Sequence, residues 1–448
     1  MITENESGKN QINAAPSKNF FIKMLTRDIG LVDCILDLVD NSVDSFIRNN
    51  NLDVTQPLLG DRMRHAAAKN KAYININFTG NRFSIEDNCG GISIDDAKNY
   101  VFRFGYHHEE KRTTGLGVYG IGMKRAFFKM GNKIDFISIT KNEEFSVEID
   151  VEKWKQEENN WHFKFSDAKP YPKPIGTKNT GTVIEISELH EEIAGRLKLK
   201  VVQNEISEKI ANTYALFIDH GVEIKVNGVA LASKLPKLGI SSNVTSARKQ
   251  FVKNGVDVLI IIGVTPPSNK TPGGWYIFCN GRMVVEADKT PLTGWGRDLP
   301  QFHTKFNHFV GYLYFHSPDV FKLPWRTTKN GVEAESEIYL TALNEMTLLA
   351  KPVTDLFTKI YAPDEDRAES KALFRNLREK STQQIPIKTT LFRVNDSKLK
   401  ESQEVNITYR RNVEEVERIR RKLAKPRMPA TKVGQYTFDY FIKNHCEQ

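Results

Sequence analysis

The sequence predicts an α+β protein: a first unit with its helices on one face of a sheet, a second α+β unit, and a charged, mostly helical tail. Three observations carry this expectation. Residues 17–50 hold a helix-period pattern and are followed by alternating strand-like segments separated by turns. A second run of such segments lies between residues 222 and 315 and leads into a long helical stretch, Glu335–Ile360. From Ala362 the chain becomes charged, with few apolar clusters.

The elements follow in order. Residues 51–71 are polar and turn-rich, then Ala-rich, and read as an insertion or a loop with a short helix. Tyr73–Phe78 and Asn81–Glu86 alternate as strands, with Thr79-Gly80-Asn81 as the turn between them. Asp95–Phe102 reads as a short helix, Tyr106–Thr114 as a charged loop, and Val118–Met130 as helix again. Lys133–Thr140, Glu144–Val151, Trp161–Ser166 and Thr182–Ser187 read as strands, with Lys169–Asn179 as a surface loop before the last of them. Helices segregated to one face of such a sheet make an α+β unit. A helix at Lys198–Ile218 bridges to the second unit, whose strands are read at Val222–Val226, Val256–Ile262, Gly274–Phe278 and Phe309–Phe315. Val433–Ile442 reads as a short closing helix. The expected division is a polar arm at 1–20, a first domain at 21–195, a second at 196–361 and a charged region at 362–448.

Composition narrows the class. With 448 residues the chain exceeds one compact core. Its 40% hydrophobic and 27% charged residues fit a soluble globular protein. No apolar run reaches the ~18–20 residues of a membrane span. The first residues lack an apolar stretch behind a basic head, so they read as an arm and not a secretory signal. Cys34, Cys89, Cys279 and Cys446 lie far apart, which argues against a zinc or disulfide framework and for a reducing cytoplasm. A net charge of +9 admits a polyanionic partner, though an ordinary basic protein has the same balance.

Chemistry concentrates in three places. On a wheel of ~100° per residue, Asp33, Asp37, Asp40, Asn41 and Asp44 share one narrow arc of the stretch 31–47, and apolar residues fill the remainder. Four aspartates on one face repel each other, and a bound cation or a set of donors relieves this. Asn41 can offer a neutral oxygen to Mg²⁺, and Asp37 can polarise a water. A solvated acidic face is the alternative. Asp87-Asn88-Cys89-Gly90-Gly91-Ile92 follows a strand, and its paired glycines allow backbone to pass close to a ligand, although such a segment is often only a turn. Gly115 to Lys124 has four glycines and then a lysine entering a helix, a setting in which backbone N–H groups cradle phosphates. Neither the dinucleotide fingerprint nor the P-loop fits it: no strand precedes it, and Met123-Lys124-Arg125 follows Gly122.

In this order, the three elements resemble the GHKL superfamily, which includes gyrase, the large heat-shock chaperone, histidine kinases, MutL-type repair proteins and MORC ATPases. Asp37-Leu-Val-Asp-Asn41-Ser-Val-Asp44 resembles its N box, Asp87–Gly91 its adenine box, Gly117–Lys124 the box closing the ATP lid, and Gly181-Thr182 the last box. The resemblance covers residues 30–187. It implies a Bergerat-type α/β sandwich binding ATP and Mg²⁺, with Asn41 as the metal ligand and Asp37 as the general base. It implies Asp87 accepting from the adenine amine, with Gly91, Ile92 and Thr182 beside it. It implies a phosphate loop at Gly117-Val118-Tyr119-Gly120-Ile121-Gly122-Met123-Lys124, and a lid from about Phe104 to Gly120. His107 and His108 fall in that lid and read as solvated.

Two residues depart from the family pattern. Asp37 stands where the family uses Glu, and a reacting group misplaced by ~1 Å costs about 10²-fold in rate, so hydrolysis is expected to be slow. Cys89 replaces the first glycine of the adenine box.

Ile277–Val284 reads as a strand, an Asn280-Gly281 turn and a strand, and looks like the transducer (S5-type) hairpin of MutL and MORC relatives. Lys329 is the candidate for the lysine that relatives send to the γ-phosphate; a plain loop lysine is the alternative. No phosphoacceptor helix precedes the ATP domain, which disfavours a sensor kinase. Tyr409–Lys432 carries nine Lys/Arg against three Glu, a candidate DNA contact or a solvated helix. The expectation is an ATP-driven, nucleotide-dependent homodimer acting on DNA. The alternatives are an ATP sensor that does not hydrolyse and a chaperone-like protein clamp.

Overall fold

The computed structural model describes residues 16–53, 60–105, 116–117, 120–157, 160–176, 179–361, 377–385, 390–394, 407 and 410–446. The chain divides into two compact units, Met1–Asp396 and Ser397–Gln448.

The helical pattern over 17–50 resolves into α1 (Lys18–Thr26) and α2 (Leu31–Asn49). The Ser17 hydroxyl caps α1 by accepting from the Phe20 N–H, and extended Gly30 starts α2 afresh. The apolar majority of α2 is buried, Leu31, Ile35, Leu38, Val39 and Phe46 among them, and so are Asp37 and Asp40. The solvated-face alternative does not describe this helix.

Then come α3 (Gly60–Asn70), β1 (Tyr73–Phe78), β2 (Arg82–Asp87), and α4 (Ile94–Asp96) running into a π-helical turn, Ala97–Val101. They are followed by α5 (Gly122–Met130), β3 (Gly131–Ile139), β4 (Glu143–Asp150), α6 (Val151–Gln156), β5 (Phe165–Pro170) and β6 (Gly181–Leu189). Next are α7 (Glu191–Lys198), α8 (Lys200–Thr213), α9 (Ala215–Asp219), β7 (Glu223–Val226) and β8 (Val229–Ala230).

All eight strands form one sheet in the order β5-β4-β3-β6-β2-β1-β7-β8, antiparallel except for the β1–β7 pair. Burial along β3 and β6 alternates. Ile134, Phe136, Ile184 and Ile186 point inward, while Ile137 and Val183 are exposed. Helices α2 and α5 pack on the inward face, as one-sided alternation requires.

Several elements differ from expectation. The strand at 222–226 joins this first sheet beside β1 and not the second. The bridging helix at 198–218 is two helices, α8 and α9, broken at Tyr214, and the unexpected helix α7 precedes it. Lys169 and Pro170, read as loop, close β5, and β5 is an edge strand, where a missing N–H costs no ladder bond. Residues 161–164 are not strand.

The second sheet is built from β11 (Ala247–Lys253), β12 (Val256–Val264), β13 (Gly274–Cys279), β14 (Arg282–Asp288) and β15 (Phe309–His316), in the order β11-β12-β15-β13-β14. Before it lie the short strands β9 (Leu238–Ile240) and β10 (Val244–Thr245), and after it α10 (Glu337–Ile360), β16 (Arg378–Lys380) and β17 (Arg393–Val394). Strands β9 and β10 pair with β16 and β17.

Two layers cover this sheet. Ala215 and Leu216 of α9 join Leu259, Ile261, Tyr276, Phe278, Tyr312 and Tyr314 on one face. Helix α10 covers the other, where Tyr339 meets Phe315. Strands covered on both faces read as continuous apolar runs, which is why Val256–Ile262 was legible. The β13–β14 turn has Asn280 at φ 47° and Gly281 at φ 85°, the left-handed pair of a type I′ hairpin.

The second unit contains α11 (Val413–Lys422) and α12 (Ala430–His445). Glu414 and Glu415 sit in the first turn of α11, and Arg420, Arg421 and Lys422 in its last, which complements the helix dipole. Tyr436, Phe438, Tyr440 and Phe441 of α12 are exposed.

Candidate functional site

The acidic stripe of α2 faces a cavity lined by Asp37, Asn41, Asp44, Ser45, Arg48, Ile92, Val101, Gly117, Gly120, Ile121, Gly122, Met123, Lys124, Arg125, Thr327 and Lys329. Elements far apart in sequence thus converge on one helix face.

Each carboxylate of the stripe meets different donors. Asp37 Oδ2 accepts from Arg125 at 2.7 Å, and its Oδ1 lies 3.9 Å from the Lys329 ammonium. Asp40 Oδ1 accepts from the Tyr214 hydroxyl at 2.7 Å and from Arg282 Nε at 2.9 Å. Its Oδ2 accepts from Lys329 Nζ at 2.6 Å. Burial alone would raise the Asp40 carboxyl, but the charges of Arg282 and Lys329 and the hydrogen bonds from Lys329 and Tyr214 hold it below its ordinary value. Asp44 accepts the backbone N–H groups of Leu116 and Gly117, the latter at 2.7 Å. Burial pushes its carboxyl up to about 6, with the Asp40 charge adding to the rise. Asp33, at the start of the stripe, is raised by burial and then by Asp37, the like-charge repulsion the wheel implied.

Helix α5 approaches the stripe end-on. A Cβ at Gly122 would lie 2.9 Å from Asp37 Cγ, so only glycine lets the first turn of α5 sit against that carboxylate. Lys124 is buried. Its ammonium donates to the carbonyls of Val101, at 2.7 Å, and Gly120, and so ties the glycine loop to the π-helical turn. Burial lowers its pKa to about 7.

The Asn41 Nδ2 atom is buried and has no hydrogen-bond partner among the described residues. Amide orientation is interchangeable, so this site can equally present the carbonyl oxygen to a cation. Among the described residues no group of three or more His, Cys, Asp or Glu could hold a metal. A Mg²⁺ ion here fits Asn41 together with oxygens brought by a ligand.

The Asp–Gly segment adjoins the cavity through Ile92, whose N–H donates to Ser138 Oγ at 2.7 Å and whose carbonyl accepts from it at 3.0 Å. Gly91 has φ 69°, and a Cβ there would meet the Ile139 carbonyl oxygen at 2.2 Å, so this glycine seats the segment against β3. Asp87 is buried and cross-strand from Thr182. Its Oδ2 accepts from the Ser42 hydroxyl at 2.7 Å and its Oδ1 from the Cys89 N–H at 2.8 Å. Asp87, Gly91 and Thr182 do not line the cavity itself. Val118 and Tyr119 lie outside the described residues, as do His107, His108 and most of the expected lid.

Sequence reasoning named no role for Arg125, Arg282, Tyr214 or Ser42, and it counted Asp40 only as part of the stripe. Two signals pointed to some of them. Arg125 directly follows Lys124, and Arg282 directly follows the Asn-Gly turn.

Residues 31–182 match the family model described as Histidine kinase-, DNA gyrase B-, and HSP90-like ATPase. That span runs from the start of α2 into β6, taking in all four boxes, and supports a GHKL-type ATPase domain over this part of the chain. No curated protein matches the chain.

Asp87 yields a pH prediction. Burial raises its carboxyl from 3.8 to about 6, against the hydrogen bonds from Ser42, Cys89 and Thr182. A group raised in the folded state adds stability below its ordinary value and loses that stability as pH rises through about 6. In Asp87→Asn the carbonyl can keep the Cys89 N–H and the amide can donate to Ser42. The variant should be more stable than wild type at pH 7, on the order of 2 kcal/mol, with no advantage below about pH 4. Urea unfolding at the two pH values checks this. An identical pH dependence in both proteins contradicts it.

Proposed function

We propose that the chain is a Mg²⁺-dependent ATP-binding switch that hydrolyses ATP slowly. One observation carries this reading: the α2 stripe, the N-terminus of α5, the glycine loop and Lys329 meet on a single cavity. Bound Mg²⁺ would neutralise charge on the phosphates as phosphoryl transfer proceeds. The chain's own groups do the rest. Asn41 holds the metal. The α5 N-terminus and the N–H groups around Gly120–Gly122 receive the phosphates. Asp87, with Thr182 across the strand pair, accepts from the adenine amine. Asp37 orients and deprotonates water, and Lys329 reads the terminal phosphate from the second sheet's side.

A second reading, an ATP sensor without turnover, has its own support. Asp37 is one methylene shorter than Glu, and Arg125 holds one of its oxygens at 2.7 Å. That ion pair commits Oδ2 to Arg125 and leaves Oδ1 alone to orient a water.

A MORC/MutL-like action is the finer proposal, with two chains pairing through the arm at 1–20 when nucleotide binds. The basic stretch Tyr409–Lys432, with nine Lys/Arg against three Glu, supports DNA as the partner. Duplex binding should weaken steeply with salt and be lost when Ser397–Gln448 is removed. Binding that ignores both changes removes the DNA proposal and favours a protein clamp.

ATP turnover by the purified chain with Mg²⁺ separates the main readings. Asp37→Asn should lower kcat by about 10² or more while nucleotide still binds, and Asn41→Ala should weaken binding itself. No turnover in wild type, with binding that Asn41→Ala weakens, selects the sensor. No nucleotide binding at all rejects both.

A further inference from the structure

Asp40 lies one helical turn from Asp37 and is 1% exposed. It is the meeting point of α2 with three distant pieces of chain: Tyr214 between α8 and α9, Arg282 at the start of β14, and Lys329 in the loop after β15. The contacts are divided between its oxygens. Tyr214 and Arg282 share Oδ1, and Lys329 takes Oδ2. Arg282 also donates to the Lys329 backbone carbonyl, which holds that residue at φ 54°, a left-handed conformation costly to a side chain other than glycine. The Lys329 ammonium is thereby stationed on the cavity wall, 3.9 Å from Asp37 Oδ1.

We propose that Asp40 is a positioning residue that parks Lys329 beside the candidate catalytic carboxylate, with Arg282 as the fixed counter-ion that lets Lys329 leave for a ligand's terminal phosphate. The proposal rests on the nucleotide reading of the cavity. Its physical basis is the split of the contacts. A buried carboxylate stripped of every partner is costly. Asp40 is not stripped when Lys329 departs, because Oδ1 keeps both its donors. A terminal phosphate therefore competes with one carboxylate oxygen for one ammonium. The swap leaves Arg282 in place, and changes what tethers the Lys329 loop and the second sheet to α2.

Two measurements on the full chain test this. The first is labelling of lysines by an amine-reactive acylating reagent without nucleotide, read by mass spectrometry. Lys329 should label about 10-fold or more slowly than Lys234, whose side chain is 58% exposed. Asp40→Asn should bring the two rates together. The second is the ratio of affinities for a non-hydrolysable ATP analogue and ADP, both with Mg²⁺. Asp40→Asn should raise the preference for the triphosphate about 10-fold. Lys329→Met should abolish the preference, and the double variant should behave as Lys329→Met. A purely structural Asp40 would leave the ratio unchanged in a folded Asp40→Asn protein, and that result overturns the proposal. Wild-type Lys329 labelling as fast as Lys234 overturns it without any variant. If Asp40→Asn does not fold, Asp40→Ser, which also removes the charge, replaces it with the same two readouts. If wild type binds neither nucleotide, the nucleotide reading falls, and the labelling contrast alone decides whether Asp40 holds Lys329.

Discussion

The structure depends on the neutralisation of one buried carboxylate stripe. Helix α2 is apolar over most of its surface, so burying it is favourable, but burial takes Asp37 and Asp40 out of water as well. Ionised carboxylates in that setting need partners. The partners of these two carboxylates come from elsewhere: Arg125 from α5, Tyr214 from the α8–α9 junction, Arg282 from β14 and Lys329 from beyond β15. The charge problem of one helix thereby specifies how four other segments are placed.

The same constraint explains the chemistry the cavity offers. Asn41 is the neutral member of the stripe and keeps a polar atom unpartnered among the described residues. Asp44 is turned to the amides of Leu116 and Gly117 and orders the start of the glycine loop. Lys124 pins that loop to the π-helical turn by giving its ammonium to backbone carbonyls. Further out, the Lys18 ammonium donates to the carbonyls of Trp154, Glu157 and Asn160 and lies 3.9 Å from the Trp154 ring centroid. The Trp154 and Trp161 rings pack on Phe104, just ahead of residues 106–115.

How much of this was legible follows from the range of each interaction. The α2 stripe was readable because period and charge are local properties. The β13–β14 turn was readable because Asn-Gly demands left-handed φ values wherever it occurs. The hairpin β1–β2 and the buried strand β12 were readable by alternation and by an unbroken apolar run. The parallel pairing of β7 with β1 was not, since register between strands more than a hundred residues apart leaves no local mark. Nor was the role of Arg282: its place after the Asn-Gly turn singles it out, but only the fold brings it 2.9 Å from Asp40. The break at Tyr214 was missed because no glycine or proline marks it in the sequence.

One cavity joins α2 to the loop that follows the second sheet's β15, so a ligand that enters it should be felt on both sides. Hydrogen–deuterium exchange on the full chain, with and without ATP and Mg²⁺, tests it most directly. Slower exchange is expected at the amides of residues 120–125 and, in the same titration and at the same nucleotide concentration, a change at residues 327–330. Protection confined to 120–125, with no response in the Lys329 loop, would contradict the coupling.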